Sequence, residues 1–313
     1  MIGYLIRRLL QAVIVVIGVT IITFILLHML GNPVVQILGP RHSPANVKAL
    51  TQQLGLNLPL PVQYLHWLWN LLQWNLGHSY RQNNSVAGLL AQRLPNTLLL
   101  VGTSTVLAIV LAIPLGIMQA VRRNRPDDYI ATGLSFIFYS MPTFWLGLLL
   151  IILFSAQLGW LPGEAPQSQG NLFSQLNALV LPVMTLTLVT VALFSRYMRS
   201  SMLENLVQDY VRTAKAKGVS SRVILFKHVL RNALIPVLTL IGLSIPGILS
   251  GAVVTESVFN YPGMGYLFVN AAVTADFPVL LGVTFVVGIA TVIGSLVADI
   301  LYAVADPRIR YVS

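Results

Sequence analysis

Apolar positions in this chain gather into long runs, separated by shorter segments that carry nearly all of the charge. Six runs stand out, approximately Leu9 to Leu30, Thr97 to Val121, Ile130 to Leu158, Ala178 to Ser195, Ala233 to Thr255 and Val279 to Val304. A hydrocarbon core of about 30 Å takes roughly 20 mainly apolar residues per helix, and each run approaches or exceeds that length. The pattern predicts an all-α integral membrane protein with about six transmembrane helices. Arg7 and Arg8 precede the first run, as they would in a cleaved signal peptide. That run exceeds the roughly 7 to 15 residues usual for a signal peptide and ends in Gly31-Asn32-Pro33 instead of a small-x-small site, which favours a retained helix.

These runs divide the chain into an N-terminal transmembrane helix (1–30), an outer loop subdomain (31–96), a core of five further helices (97–304) and a short tail (305–313). The outer segment mixes Pro and Asn with Tyr64, Trp67, Trp69, Trp74 and Tyr80. Its aromatic residues suit either a membrane interface, where amphipathic rings accumulate, or the core of a folded loop.

Composition agrees with the pattern. Of 313 residues 56% are hydrophobic and 9% charged, against about 25% charged in an ordinary soluble domain. The net charge of +10 would suggest nucleic acid in a soluble protein, so its placement decides the matter. Fifteen of the 19 basic residues flank the apolar runs on what would be one side of the membrane, the exceptions being Arg41, Lys48, Arg81 and Arg93 in segment 31–96. The loops 159–177 and 256–278 contain no Lys or Arg. The positive-inside rule then predicts both termini in the cytoplasm, and segment 31–96 is long enough to cross whatever its charge. Basic residues spread over four membrane-flanking segments do not form a nucleic-acid face.

Several chemistries are excluded by what is missing. There is no cysteine, hence no disulfide or thiolate metal site. His28, His42, His66, His78 and His228 show no paired metal-ligand spacing. No G-x-x-x-x-G-K-[ST] run is present, so no nucleotide phosphate can be cradled in a P-loop of this chain.

Segment 196–232 carries eight basic residues and two acids, Glu204 and Asp209. At about 2.5–3.5 kcal/mol for each Arg or Lys at mid-bilayer, it must stay in water. Tyr210, Val211 and Ala214, then Val223, Ile224, Phe226, Val229 and Leu230, recur at helical spacing. Gly218 and Ser220-Ser221 fall between them as a C-cap and an N-cap would. The segment is expected to form two short helices joined by a turn. From periodicity alone it suits a partner protein or anionic membrane lipid equally.

A family resemblance separates these options. Asp209 to Gly218 reads D-Y-V-R-T-A-K-A-K-G and His228 to Pro236 reads H-V-L-R-N-A-L-I-P, which resembles the cytoplasmic loop signature of permease subunits in the peptide/nickel branch of ABC importers. Arg7-Arg8-Leu9, Leu94-Pro95-Asn96-Thr97, the run Met141 to Gly147, Glu256-Ser257-Val258-Phe259, Pro262-Gly263-Met264-Gly265 and Asp306-Pro307-Arg308-Ile309-Arg310 extend the resemblance over nearly the whole chain. Asn32, Asn75 and Gly294-Ser295 depart from the usual pattern.

The resemblance implies a type I ABC importer permease fold in a bacterial or archaeal inner membrane, forming half of a pathway for di- or oligopeptides or related solutes such as glutathione or nickel chelates. It implies a second homologous permease, giving a heterodimer, an extracytoplasmic solute-binding protein and two ATP-binding subunits. ATP and Mg would be bound by those subunits and not by this chain, which is not itself an enzyme. Asp209, Tyr210, Arg212, Thr213, Ala214, Lys215, Lys217, Gly218, His228, Leu230, Arg231 and Asn232 are the expected ATPase-coupling residues.

Three further readings concern single positions. Glu256 and Asp276 could meet a solute or a binding protein, although exposure as ordinary solvated loop acids is the preferred expectation. Gly247 and Gly251 would let helices approach closely. Asp299 is an ionisable residue in the last apolar run, expected to pair with a loop arginine. Its near isolation argues against the main alternative, a self-sufficient secondary transporter or channel, which generally carries several such residues. A membrane-embedded enzyme would need a catalytic constellation that the chain lacks.

Overall fold

The computed structural model describes residues 2–29, 33–38, 43–165 and 172–305, with backbone only at 2–9, 12, 33, 36, 172–173, 243, 245–251 and 297–305. Its α-helices are α1 (Ile2–Met29), α2 (Pro33–Leu38), α3 (Pro44–Gln53), α4 (Leu60–Leu72), α5 (Val86–Val121), α6 (Pro126–Ser140), α7 (Thr143–Leu150), α8 (Leu172–Leu206), α9 (Asp209–Ala216), α10 (Ser221–Val223), α11 (Leu230–Val258), α12 (Met264–Val273) and α13 (Phe277–Ala305). Two π-helical segments, Ile151–Gln157 and Ile224–Val229, continue α7 and α10. Among the described residues the sole β feature is an isolated bridge between His78 and Ser85. The protein is an all-helical, multi-pass membrane protein: Val86–Val121, Ser174–Leu206, Ser221–Gly242 and Phe277–Leu296 are each long and apolar enough to cross a bilayer, and Val13–Met29 adds a shorter apolar stretch.

The third predicted run does not form one straight span. α6 and the helix Thr143–Gln157 meet at an angle of 108°. The break falls at Met141-Pro142, where Met141 is extended at φ −74° and ψ 130°. Pro142 has no N–H to donate to the helix, and its ring disfavours helical backbone at the preceding residue.

The chain falls into two compact units. Met1–Thr97 with Pro262–Val292 forms the first and Leu98–Tyr261 with Ile293–Ser313 the second. In the first, Phe24 and Leu27 of α1 share a buried cluster with Val86 and Leu89 of α5, Leu267 of α12 and Leu280 of α13. The aromatic residues of the outer segment divide. Tyr64, Trp67 and Tyr80 pack on this cluster, while Trp69 and Trp74 are exposed.

The second unit has two buried clusters. One joins Leu100 and Val101 of α5, Leu146 and Leu150 of α7, Leu181 and Leu186 of α8 and Phe259. The other joins Ala112 and Ala120 of α5 with Phe194, Met198 and Met202 of α8, Val211 of α9, Val229 at the end of the second π-helical segment, and Ala233 and Val237 at the start of α11. The polar segment after α8 is thereby built onto the membrane helices by its own apolar residues.

Candidate functional site

The segment Asp209–Asn232 holds most of the predicted site. α9 starts with Asp209 in its first turn, where a carboxylate complements the helix dipole. It stops in a Schellman turn: the Gly218 N–H donates to the Lys215 carbonyl at 2.9 Å and the Val219 N–H to the Ala214 carbonyl at 3.1 Å. Gly218 has φ +77°, in the left-handed region that a side chain makes costly. A Cβ there would meet no atom within 4 Å, so its surroundings are open.

After the turn Ser220 occupies the N-cap position at φ −61° and ψ 146°, yet its side chain makes no capping hydrogen bond. The expected second short helix is not separate. From Ser221 the chain stays helical through the π-helical segment and into α11, so the turn leads directly into a membrane helix.

The predicted residues divide by facing direction. Tyr210, Ala214 and Leu230 are partly buried against the cluster built on Met198, Val211 and Val229. The Tyr210 hydroxyl donates to Asn205 Oδ1 at 2.9 Å. Asp209, Arg212, Thr213, Lys215, Lys217, Gly218, Arg231 and Asn232 are exposed, and His228 is half-buried. Arg212 lies 3.6 Å from Asp209 in an exposed pair, of a kind that contributes little stability. Val223 and Phe226 are exposed as well, at 43% and 57%. The solvent side of the segment is thus a basic surface with two apolar residues beside it.

Glu256 and Asp276 are not solvated loop acids: they are 0% and 2% exposed. The Ser79 hydroxyl and the Tyr80 N–H, the latter at 3.1 Å, both donate to the Asp276 carboxylate. Ser79 Oγ in turn accepts the N–H groups of Arg81 and Gln82 at 3.2 and 2.8 Å. These bonds replace the lost hydration, which is why the acid can be buried at all. Burial, followed by the Asp276 charge, pushes the Tyr80 phenol up to about 12. In the other unit, burial and then the Glu256 charge push the Tyr261 phenol up to about 12, and the Tyr261 N–H donates to the Glu256 backbone carbonyl at 2.8 Å.

Gly247 and Gly251 lie in α11 and Asp299 in α13, where the packing of these residues is outside the described part of the structure. Sequence reasoning missed Asp128 altogether. It is 2% exposed and accepts from Arg199 Nε and Nη2 at 2.9 and 2.8 Å, from the Asn124 N–H at 3.1 Å and from Thr132 Oγ1 at 3.2 Å. Its neighbour Asp127 pairs with Arg122. The available signal was Asp127-Asp128 directly after Arg122-Arg123 and Arg125, a charge pattern that marks a membrane-helix start without naming the distant partner.

The sequence comparisons with known proteins cover nearly the whole chain. Residues 112–311 match the family described as "Binding-protein-dependent transport system inner membrane component", and residues 1–101 match the corresponding N-terminal family. The "Oligopeptide transport system permease protein AppB" of Bacillus subtilis is 43% identical over 316 residues, 99% of this chain and 100% of that protein. The "Glutathione transport system permease protein GsiC" of Escherichia coli is 39% identical over 312 residues, with 99% and 100% covered. Among solved structures, the inward-facing MetNI methionine ABC transporter matches with a TM-score of 0.59 at 18% identity, covering 70% of this chain and 97% of that one. An amino acid ABC transporter crystallised with histidines gives 0.55 at 16% identity, covering 69% and 94%. These structural likenesses are of fold. The chain belongs to the family of binding-protein-dependent transport system inner membrane components and has the fold of a type I ABC importer permease.

Proposed function

We propose that this chain is one of two related permease subunits that together enclose an import pathway for di- or oligopeptides. ATP hydrolysis on two partner subunits drives it, and an extracytoplasmic binding protein delivers the solute. Both termini and the turn at Gly218 face the cytoplasm, in keeping with the distribution of Lys and Arg. Support for the cargo comes from relatives named as oligopeptide, peptide and glutathione permeases.

One observation carries the coupling role. α9 and its Schellman turn project a basic surface from the ends of α8 and α11 while remaining anchored by Val211, Ile224 and Val229. Asp209, Arg212, Thr213, Lys215, Lys217, Arg231 and Asn232 form the contact surface for the ATPase, and Tyr210, Ala214, His228 and Leu230 hold it in place. Arg and Lys there supply charge-assisted hydrogen bonds. ATP and Mg stay on the partner subunits.

Isolation in mild detergent at native expression, with every co-purifying subunit identified by mass, tests this assignment. Two P-loop ATPases and a second related permease are expected. A lone chain or a homo-oligomer that still transports without ATP would replace the proposal with a self-sufficient transporter.

A further inference from the structure

Arg196 stands apart from the other basic residues near it. Its guanidinium carbon lies 4.7 Å from the ring centroids of both Phe136 and Tyr139, and among the described residues no carboxylate is paired with it. The direction of the side chain is informative. Asp128 pairs with Arg199 and Ser135 lies 3.4 Å from Ser195 through their hydroxyls, so α6 and α8 run antiparallel. At 1.5 Å per residue, Phe136 and Tyr139 lie about 12 and 16 Å along α6 from Asp128, whereas Arg196 is only about 4.5 Å along α8 from Arg199. The guanidinium therefore reaches away from the polar helix ends and toward the middle of the span, the direction in which helical side chains lean.

A lipid-facing arginine would do the opposite, carrying its charge out to the interface. Arg196, which the sequence assigns to the water-facing segment 196–232, lies inside the apolar helix Ser174–Leu206, and an unpaired cation there needs water or an anion beside it. Phe136 and Tyr139 are themselves half-exposed, at 51% and 50%, so the cage is open on one side. We infer that Arg196, held between Phe136 and Tyr139, is a carboxylate-binding station in a water-filled pathway, where it takes the C-terminal carboxylate of a passing peptide. The peptide part of this inference rests on the function proposed above. A bidentate guanidinium suits a carboxylate, and the two rings fix its plane without neutralising it.

The chain has no cysteine, so one introduced thiol reports on this site. Gly133 lies one turn before Phe136 on α6, and a Cβ there meets no atom within 4 Å. In the intact complex, Gly133→Cys should react with membrane-impermeant thiosulfonates, the anionic reagent faster relative to the cationic one. Adding Arg196→Gln should cut that ratio about tenfold, as removal of a focused local charge does. Trialanine should slow the labelling and trialanine amide should not, and Arg196→Gln should abolish the difference. An unreactive thiol, an unchanged charge ratio or equal protection by the amide would each overturn the site. Trialanine uptake by the wild-type complex, measured in parallel, reports on the peptide reading separately.

Discussion

Arg199 grips Asp128 with two parallel hydrogen bonds, Nε to Oδ1 at 2.9 Å and Nη2 to Oδ2 at 2.8 Å, which tie the first turn of α6 to α8. Asp128 is buried and Arg199 is 27% exposed, so removal of Arg199 strands a buried carboxylate, while removal of Asp128 leaves a guanidinium that water partly reaches. Breaking a buried pair in this way costs about 3–5 kcal/mol. Asp128→Ala and Arg199→Ala should therefore both lower the detergent melting temperature sharply. Arg199→Lys should recover part of the loss, because a lysine cannot reproduce the two-point grip. Wild-type stability in all three variants would remove the pair from the account.

Gly218 separates backbone strain from docking. Gly218→Ala should cost about 1 kcal/mol from left-handed backbone alone. Asn tolerates that conformation and adds bulk only into open space, so Gly218→Asn should keep expression and melting temperature. If the surface docks an ATPase, the same Asn variant should lose most ATP-driven uptake. Normal uptake by Gly218→Asn would place the ATPase elsewhere.

Close approach of helices makes a different glycine matter. A Cβ at Gly116 would lie 2.6 Å from Met198 Cβ and 2.8 Å from the Ser195 carbonyl oxygen, so α5 and α8 can meet there only without a side chain. Gly116→Ala should destabilise by about 1–3 kcal/mol, as overpacking does. Gly102 and Gly133 have nothing within 4 Å of a Cβ, and alanine at either should be neutral or stabilising by up to about 1 kcal/mol. Thermal unfolding of the three variants side by side checks the ranking.

The two raised phenols set an alkaline limit. Tyr80 and Tyr261 titrate near 12 in the folded chain against an ordinary value of 10.0. A raised folded value means that the neutral phenol is favoured by folding. Its stabilising effect is complete below pH 10 and disappears as pH rises from 10 to 12. Phenolate absorbance should therefore show a late-titrating component that Tyr80→Phe and Tyr261→Phe each reduce. Asp276→Asn should move the Tyr80 part toward lower pH.

What the sequence reveals and what it conceals differ in range. Apolar runs identify most of the membrane helices because burial in lipid acts on every residue of a span. Gly218 is visible because its backbone constraint is local, whereas the 108° break at Met141-Pro142 falls inside an apolar run that reads as one span. The Ser79–Asp276 bond joins residues 197 apart and the Arg199–Asp128 pair residues 71 apart. No local periodicity encodes such pairs. The expectation of exposed acids at Glu256 and Asp276 fails for that reason: burial became tolerable for Asp276 only once distant donors had been folded against it.

Among the proposed roles, that of the α9 turn is the one from which coupling follows, and a photo-crosslinking residue at Lys217 tests it most directly. Lys217 is exposed at the C-cap of α9. In membranes containing the assembled complex, irradiation is predicted to join this chain to a P-loop ATPase, with the yield changing when ATP is added. Adducts to lipid alone, or to no protein, would contradict the account.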